Sequence, residues 1–406
     1  MIPIALDRQV PVRFGIVGCG GMGRWHASNL QALPDVSLHA VFDTSQTAAR
    51  RLARRFGVAA VDDLDALLRD PMIHVVSVCT PPAGHAEIAR RAAVAGKHVL
   101  VEKPLALTVA EADSLIDLCA ARGVWLGVVH QQRARSSAMA LSSLLAEGEF
   151  GLPLAAAAIH SWHRAPSDFT KDAWRSSPES GGALLMDQAI HAIDLLVTFL
   201  GRPAWVSGSV SGRALSTIGE DTSVATIGFD GGALATLTAS TAVGGMRDDI
   251  TVELLATRGS FRLEVRDYDH AEITRLELSS SERRRGRSLD RAEIEELVRR
   301  HGGSWRIGPR SRLWRTLDRI VSKERGEQPF GSVRALLRRR VDRAAQRETQ
   351  EPQGHAAILC GMAAAARGDG EPLVTGDEAR LALAVVEGLY ESHRSDGRRI
   401  ELALTP

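Results

Sequence analysis

Residues 14 to 26 constrain this chain more than any other stretch. A short apolar strand, Phe14-Gly15-Ile16-Val17, runs directly into Gly18-Cys19-Gly20-Gly21-Met22-Gly23 and then into a helical pattern over Trp25 to Leu33. Glycines at 18, 20 and 23 spell G-x-G-x-x-G. The first permits a tight turn, the second lets a pyrophosphate approach the backbone, and the third lets the helix pack closely on the strand. The phosphates would rest on the N–H groups of the helix N-terminus. Such a spacing alone is weak in a chain with 37 glycines, but here the context supports it. A second strand, Ser37 to Phe42, ends in Asp43, about twenty residues after Gly23, where the fingerprint places an acid on the adenosine ribose. That carboxylate would repel a 2′-phosphate, and Thr44, Ser45 and Gln46 supply no cation to receive one, so the cofactor reads as NAD rather than NADP. Gly18, Gly20, Gly21, Met22, Gly23 and Asp43 are its first candidate contacts.

The same rhythm continues. Strands over Val75 to Cys79, His98 to Val101 and Val124 to Val128 alternate with helical patterns over Thr47 to Phe56, Leu64 to Leu68, His85 to Ala95 and Val109 to Ala121. This is the signature of a doubly wound parallel sheet, assigned to residues 12–133, with ligands expected at the carboxyl ends of the strands. Two of those ends are unusual. One carries Thr80-Pro81-Pro82 with His85 shortly after, where the prolines would hold Thr80 near a cofactor ribose. The other carries Glu102-Lys103-Pro104. A lysine emerging there can donate to a substrate hydroxyl and stabilise the alkoxide that forms as hydride leaves, while Glu102 orients it or binds ribose. An arbitrary Glu-Lys pair would be a solvated surface pair. Its position at a buried strand end reverses that preference.

With V-G-C-G-G-M-G, T-P-P-A-G-H at 80 to 85 and A-G-K-H-V-L-V-E-K-P at 95 to 104, the chain resembles the Gfo/Idh/MocA oxidoreductases. The resemblance covers residues from about 12 to 280 and resumes near 354. It implies a Rossmann domain followed by a sheet domain, and pyridine-nucleotide chemistry on sugars and polyols.

The second half, residues 134–406, changes character. Longer alternating strands are expected over Leu154 to Trp162, Trp205 to Arg213, Ser223 to Phe229, Ala233 to Ala239, Thr251 to Ala256, Ser260 to Val265 and His270 to Leu278. Asp230-Gly231-Gly232 and Thr257-Arg258-Gly259 read as hairpin turns, so the fold class is α/β followed by α+β, with a predominantly antiparallel open sheet. Helices should cover one face, leaving the other for a partner subunit, and the resemblance likewise implies a homodimer or homotetramer.

Ahead of those hairpins lies Gly181-Gly182-Ala183-Leu184-Leu185-Met186-Asp187-Gln188-Ala189-Ile190-His191. Asp187 and His191 are four apart and share a helix face, with Asp194 near the same stripe. Histidine accepts protons near neutral pH, and a neighbouring carboxylate can orient it. A lone histidine would read as core, but D-x-x-x-H after G-G, in a chain with E-K-P, matches the catalytic motif that the resemblance implies. Lys103, Asp187 and His191 are therefore the candidate catalytic residues, and they also face substrate. Trp162, His163, Trp174 and Arg175 are candidates for the cleft wall, since aromatic faces cover sugar rings and arginine binds planar polar groups.

Composition sets limits. With 44% hydrophobic and 24% charged residues the 406-residue chain can bury real cores, and a net charge of +1 gives no reason to expect nucleic acid. The nearest membrane-like run, Ala183 to Leu200, contains Asp187, Gln188, His191 and Asp194, and Asp7 and Arg8 stand where a signal peptide needs apolar residues, so cytoplasm is expected. Four scattered cysteines without C-x-x-C spacing point to reduced thiols and no metal site. Residues 282–348 depart from the family pattern, with about twenty basic and about ten acidic side chains, and read as an arginine-rich helical insertion with helices over 292–299, 313–321 and 333–341.

The expected function is NAD-dependent hydride transfer from a sugar, polyol or glycoside hydroxyl. Two alternatives share the fold: a redox-initiated glycosidase acting through a keto-sugar, and a non-catalytic nucleotide or sugar sensor.

Overall fold

The computed structural model describes residues 10–171, 173–215, 219–244, 248–266, 270–278, 287–290, 292–294, 296 and 352–404. Chain order begins with β1 (Val12–Val17), α1 (Gly21–Ala32), β2 (Val36–Phe42), α2 (Gln46–Phe56), β3 (Ala59–Ala60) and α3 (Leu64–Arg69). It continues with β4 (Val75–Val78), α4 (His85–Val94), β5 (His98–Glu102), α5 (Val109–Arg122) and β6 (Leu126–Val129). These six strands form one parallel sheet in the order β3-β2-β1-β4-β5-β6. Every residue of β4 and β6 is buried, which explains their unbroken apolar runs: crossover helices cover both faces. Local signals set the helix ends. Ser45 caps α2 and Thr108 caps α5, while Gly57 and Gly123 close the same helices in the left-handed conformation.

The chain then enters α6 (Ser136–Ala146), a helix that the sequence pattern did not reveal because its residues are apolar or small almost all round. There follow β7 (Pro153–Trp162), the short α7 (Pro166–Lys171) and α8 (Ile190–Leu200). The strands β8 (Pro203–Ser211), β9 (Thr222–Phe229), β10 (Leu234–Ser240), β11 (Asp248–Ala256), β12 (Gly259–Arg266), β13 (His270–Leu278) and β14 (Arg287–Ser288) complete the central part. The chain closes with α9 (His355–Ala366), α10 (Gly376–Arg394) and β15 (Ile400–Glu401). Among the described residues the second sheet runs β14-β13-β12-β11-β7-β10-β9-β8-β15. Both expected hairpins form, β9–β10 through Asp230-Gly231-Gly232 and β11–β12 through Thr257-Arg258. One pair, β7 with β10, is parallel, because β7 lies at the sheet's centre with a hairpin added on each side.

Helices α6, α8 and α10 pack on one face of this sheet. The helical run Pro178–Leu200 is long and apolar enough to cross a membrane, yet it is buried inside the protein. The sheet's other face leaves Leu154, Ile159, Val224, Leu234 and Leu255 exposed. The C-terminal segment returns to the first sheet: α9 packs on α1, and Val374 accepts a backbone bond from Val128 beside β6. The helices expected over 313–321 and 333–341 lie outside the described residues. Of 292–299, residues 292–294 and 296 are described and helical.

Candidate active site

The glycine loop fits a dinucleotide. Gly18 has φ +97, and a Cβ there would meet the Cys79 backbone at 2.6 Å. At Gly23 a Cβ would lie 1.9 Å from the Gly18 carbonyl oxygen, so only glycine lets α1 approach this turn. Cβ atoms built at Gly20 and Gly21 meet nothing within 4 Å: the loop faces open space where a pyrophosphate can lie. Gly20 provides no side-chain cap and no acid occupies the first turn of α1, so the amides there, Met22 included, are suited to an anion. Asp43 is held by backbone N–H donors, Cys19 to Oδ2 and Ser45 to Oδ1, both at 2.7 Å. Those bonds aim the carboxylate across the loop. Thr80 Oγ1 is buried without a hydrogen-bond partner, a donor suited to a ribose or carboxamide.

Pro81 is exposed and Pro82 buried, and a Cβ at Gly181 would meet Pro82 Cβ at 2.4 Å. The proline loop of the first domain thus touches the turn that leads to Asp187. Two residues expected at the cofactor turn inward instead. His85 is buried with Nδ1 2.7 Å from the Pro104 carbonyl and Nε2 2.9 Å from the Thr80 carbonyl, so it braces the two strand-end loops. Glu102 is buried as well, with Oε1 2.8 Å from His26 Nε2 and 3.8 Å from His355 Nε2. His26 Nδ1 in turn meets Ser77 Oγ at 2.8 Å. Glu102 is the last residue of β5, and Lys103 follows it outside the strand. His26, Glu102 and His355 together offer three ligand atoms within 4.8 Å. The 2.8 Å contact is an ordinary hydrogen-bond distance, and we read the group as a buried hydrogen-bonded ion pair.

Lys103, following β5 and joined to Pro104 by a cis peptide, points to the second domain. Its Nζ lies 3.2 Å from Asp187 Oδ1 and also donates to the Asp187 carbonyl. Asp187 Oδ2 accepts from Arg175 Nη1 at 3.0 Å and from Arg164 Nη2. Burial would raise the Asp187 pKa, but Lys103, Arg164 and Arg175 outweigh it and hold the carboxyl well below its usual range. Arg164 was not among the sequence candidates. It follows Trp162-His163 just past β7, and only its direction identifies it.

Asp187 sits in a π-helical turn, Leu185–Ala189, that runs into α8 with His191 in its first turn. The turn is entered through Ala183 at φ +63, a left-handed conformation that is unfavourable for a residue with a Cβ. Glu220 secures it by accepting the Leu185 N–H at 2.9 Å and the Tyr390 hydroxyl at 2.8 Å. Such π-turns recur at functional sites because they re-aim side chains within a helix.

His191 is buried, and burial pushes its pKa well below the usual value, with Lys103, His130 and His160 adding to the shift and Asp187 opposing it. Burial likewise lowers His130 to about 4 and His160 to about 3. All three imidazoles are neutral at neutral pH. Burial also lowers Lys103 against the pull of Asp187 and Glu102. Asp194 serves a different end: Arg133 donates Nε to its Oδ2 at 3.0 Å, and His130 Nδ1 is 3.4 Å from its Oδ1. This ties the end of the first sheet to α8.

The cleft-wall candidates divide. Arg175 stacks over Trp174, its Cζ 4.3 Å from the ring, and both belong to the 3₁₀ turn Ala173–Ser176. Trp162 is half-buried, and its ring lies nearly perpendicular to that of His160, centroids 6.3 Å apart. His163 is exposed, with Nδ1 3.0 Å from the Val243 carbonyl.

A dinucleotide cradle facing a lysine, carboxylate and histidine drawn from two domains defines a nicotinamide-dependent oxidoreductase. Residues 12–130 match the model of an oxidoreductase family with an NAD-binding Rossmann fold, and residues 138–262 match the GFO/IDH/MocA C-terminal domain. The chain belongs to the Gfo/Idh/MocA family, and its first domain is an NAD-binding Rossmann domain. It is 31% identical to the levoglucosan dehydrogenase of Pseudarthrobacter phenanthrenivorans over 62% of this chain and 74% of that one. It is 29% identical to the myo-inositol 2-dehydrogenase of Thermotoga maritima over 56% and 67% of the two chains. In fold it is similar to the WlbA dehydrogenase of Bordetella pertussis, solved with NADH and UDP-GlcNAcA. The TM-score is 0.77 at 23% identity, covering 98% of this chain and 100% of that one.

Proposed function

We propose that the protein oxidises a hydroxyl of a sugar, polyol or glycoside with NAD as the hydride acceptor, using Lys103, Asp187 and His191. The contact of Lys103 with Asp187, beside a neutral His191, carries this reading. Bound NAD would supply an electrophilic ring carbon to receive the hydride from the carbinol carbon. The chain's own residues handle the proton and the charge. His191, neutral at working pH, takes the hydroxyl proton and passes it to solvent. Of the three N–H bonds of Lys103, two serve Asp187 and the third reaches the substrate oxygen, stabilising negative charge as it develops. Asp187 keeps the lysine amine charged and fixed in direction. The glycine loop, Asp43 and Thr80 hold the cofactor.

Named relatives that act on levoglucosan and inositol support a carbohydrate substrate. We also infer that two copies pair through the exposed face of the second sheet, supported by its row of uncovered aliphatic side chains. The test of function is NADH absorbance on mixing the protein and NAD with a panel of sugars, inositols and glycosides. Absence of NADH formation across the panel, with NAD demonstrably bound, would remove the catalytic reading.

A further inference from the structure

We propose that Glu387 and Tyr390, one turn apart on α10, are positioning residues that hold Lys103 and Asp187 at their working separation. The inference rests on the dehydrogenase reading for the roles of those two groups and adds what sets the distance between them.

One end of the span is the loop after Lys103. Residues 104–108 lead from the lysine into α5, with Leu105 and Ala106 buried and the Pro104 carbonyl 2.7 Å from His85 Nδ1. Val109, the first residue of α5, has an N–H that the helix itself cannot satisfy, and Glu387 Oε2 accepts it at 2.9 Å. The other end is the π-turn that carries Asp187. Glu220 grips its entry twice, its carbonyl accepting the Leu184 N–H at 3.3 Å and its Oε1 the Leu185 N–H at 2.9 Å. The Tyr390 hydroxyl donates to that same Oε1 at 2.8 Å. Burial, with Glu220 beside it, pushes the Tyr390 pKa well above its ordinary value, so the hydroxyl stays a donor.

One helix therefore holds both ends. α10 packs on α5 and β6 of the first domain and on α8, β8 and the π-turn of the second. Between the two anchors Gly388 brings the helix close to β8, where a Cβ would meet the Val206 side chain at 2.9 Å. The direct contact of Lys103 with Asp187 and the route through Glu387, α10, Tyr390 and Glu220 make a closed ring. The direct contact alone would let the amine follow any drift of the π-turn. The second route fixes where amine and turn meet, so that the remaining N–H of Lys103 keeps its aim at the substrate oxygen. Glu387 and Tyr390 act through other residues, so they position rather than catalyse.

The experiment uses the full chain with Tyr390→Phe, which removes only the hydroxyl, and Glu387→Leu, which removes the acceptor. Two quantities are measured: kcat with NAD and a substrate from the panel, and acetylation of Lys103 by trace acetic anhydride at mildly alkaline pH, taken relative to Lys97 by peptide mass spectrometry. Lys97 is held by the Asp70 and Ile73 carbonyls of the first domain and serves as the internal control. Burial lowers the Lys103 pKa, Asp187 and Glu102 raise it, and Arg164 lowers it, while His130, His160 and His191 are neutral. Of the two acids only Asp187 rides on the π-turn, so loosening the ring lowers the pKa and frees the amine. We expect each variant to raise the labelling ratio at least about threefold, as a fall of about half a pKa unit would. Each should also lower kcat about 5- to 100-fold, the range for misplacing reacting groups by up to about 1 Å, with NADH affinity kept. Glu387→Gln, which keeps an acceptor, should fall between, and it serves if the leucine variant does not fold. An unchanged ratio in either variant would overturn the proposal, and so would raised ratios with kcat intact. If no substrate yields NADH but both ratios rise, the positioning role stands and the dehydrogenase reading fails.

Discussion

Lys103 and Asp187, 84 positions apart and in different domains, are joined twice: the amine donates to both the main-chain carbonyl and the side-chain carboxylate of the aspartate. Asp187 is buried and Lys103 largely so, so the contact is shielded from solvent and salt. It makes the relation between the two sheets part of the chemistry. A change in that relation moves the lysine relative to the π-turn that carries Asp187 and leads to His191.

The roles of the triad separate in kinetics. His191→Asn should lower kcat by about 100- to 10,000-fold with NADH affinity kept, since it removes the proton acceptor alone. Lys103→Met should lower kcat comparably and also weaken substrate binding. Steady-state rates alongside fluorescence titration of NADH check both. A His191→Asn enzyme with unchanged kcat would exclude His191 as the base.

The pH dependence follows from the directions of the shifts. His191 must be neutral to accept a proton and its pKa is lowered, so the acid limb of kcat/KM should lie below 6.5. In the proposed mechanism Lys103 acts protonated, and its pKa is also lowered, so the alkaline limb should fall below 10.5. Rates measured from pH 4 to 11 would show a plateau shifted to the acid side of these ordinary values. An acid limb above 6.5 would contradict the neutral histidine.

Asp43 should govern the choice of cofactor. Asp43→Ala removes the acceptor for the ribose hydroxyls and the repulsion of a 2′-phosphate together. We expect kcat/KM for NAD to fall about 10- to 100-fold, with that for NADP rising relative to it. Kinetics with both dinucleotides decide this. An unaltered preference would place the adenosine ribose elsewhere.

The buried pair of His26 and Glu102 should set stability. For Glu102, burial opposes ionisation, but His26, His355 and Lys103 hold its pKa at about 2. Its contribution is therefore present above the unfolded value near 4.5 and lost as pH falls toward 2. His26 is opposed by burial but raised to about 10 by Cys79 and Glu102, so its contribution is full below 6.5 and lost as pH rises toward 10. Glu102→Gln leaves a buried charge unpaired and should cost about 3–5 kcal/mol, most between pH 4.5 and 6.5. Denaturant unfolding at pH 5.5 and pH 9.5 reads the difference. Equal penalties at both would contradict the charged pair.

On the exposed sheet face, Ile159 and Val224 are 53% and 55% exposed. If copies pair there, the double change Ile159→Lys with Val224→Lys should reduce the mass measured by light scattering to that of one chain, with the secondary structure unchanged. A chain already single before substitution would exclude pairing through this face.

Much of this architecture was legible in sequence because it is locally determined. The glycine turn, Asp43 at the end of β2 and the hairpins at 230–232 and 257–258 depend on backbone conformations that a few neighbouring residues dictate, and strand alternation follows from a two-residue period. The placement of Lys103 at a strand end was readable for the same reason. Tertiary structure decided the direction of the charged side chains. Glu102 and His85, expected at the cofactor, turned inward because His26 and two carbonyls satisfied them there. Asp194 found Arg133, and Arg164, invisible to spacing or periodicity, closed on Asp187. A buried charge goes where its partner is, and those partners lie dozens of residues away, so no local pattern records them.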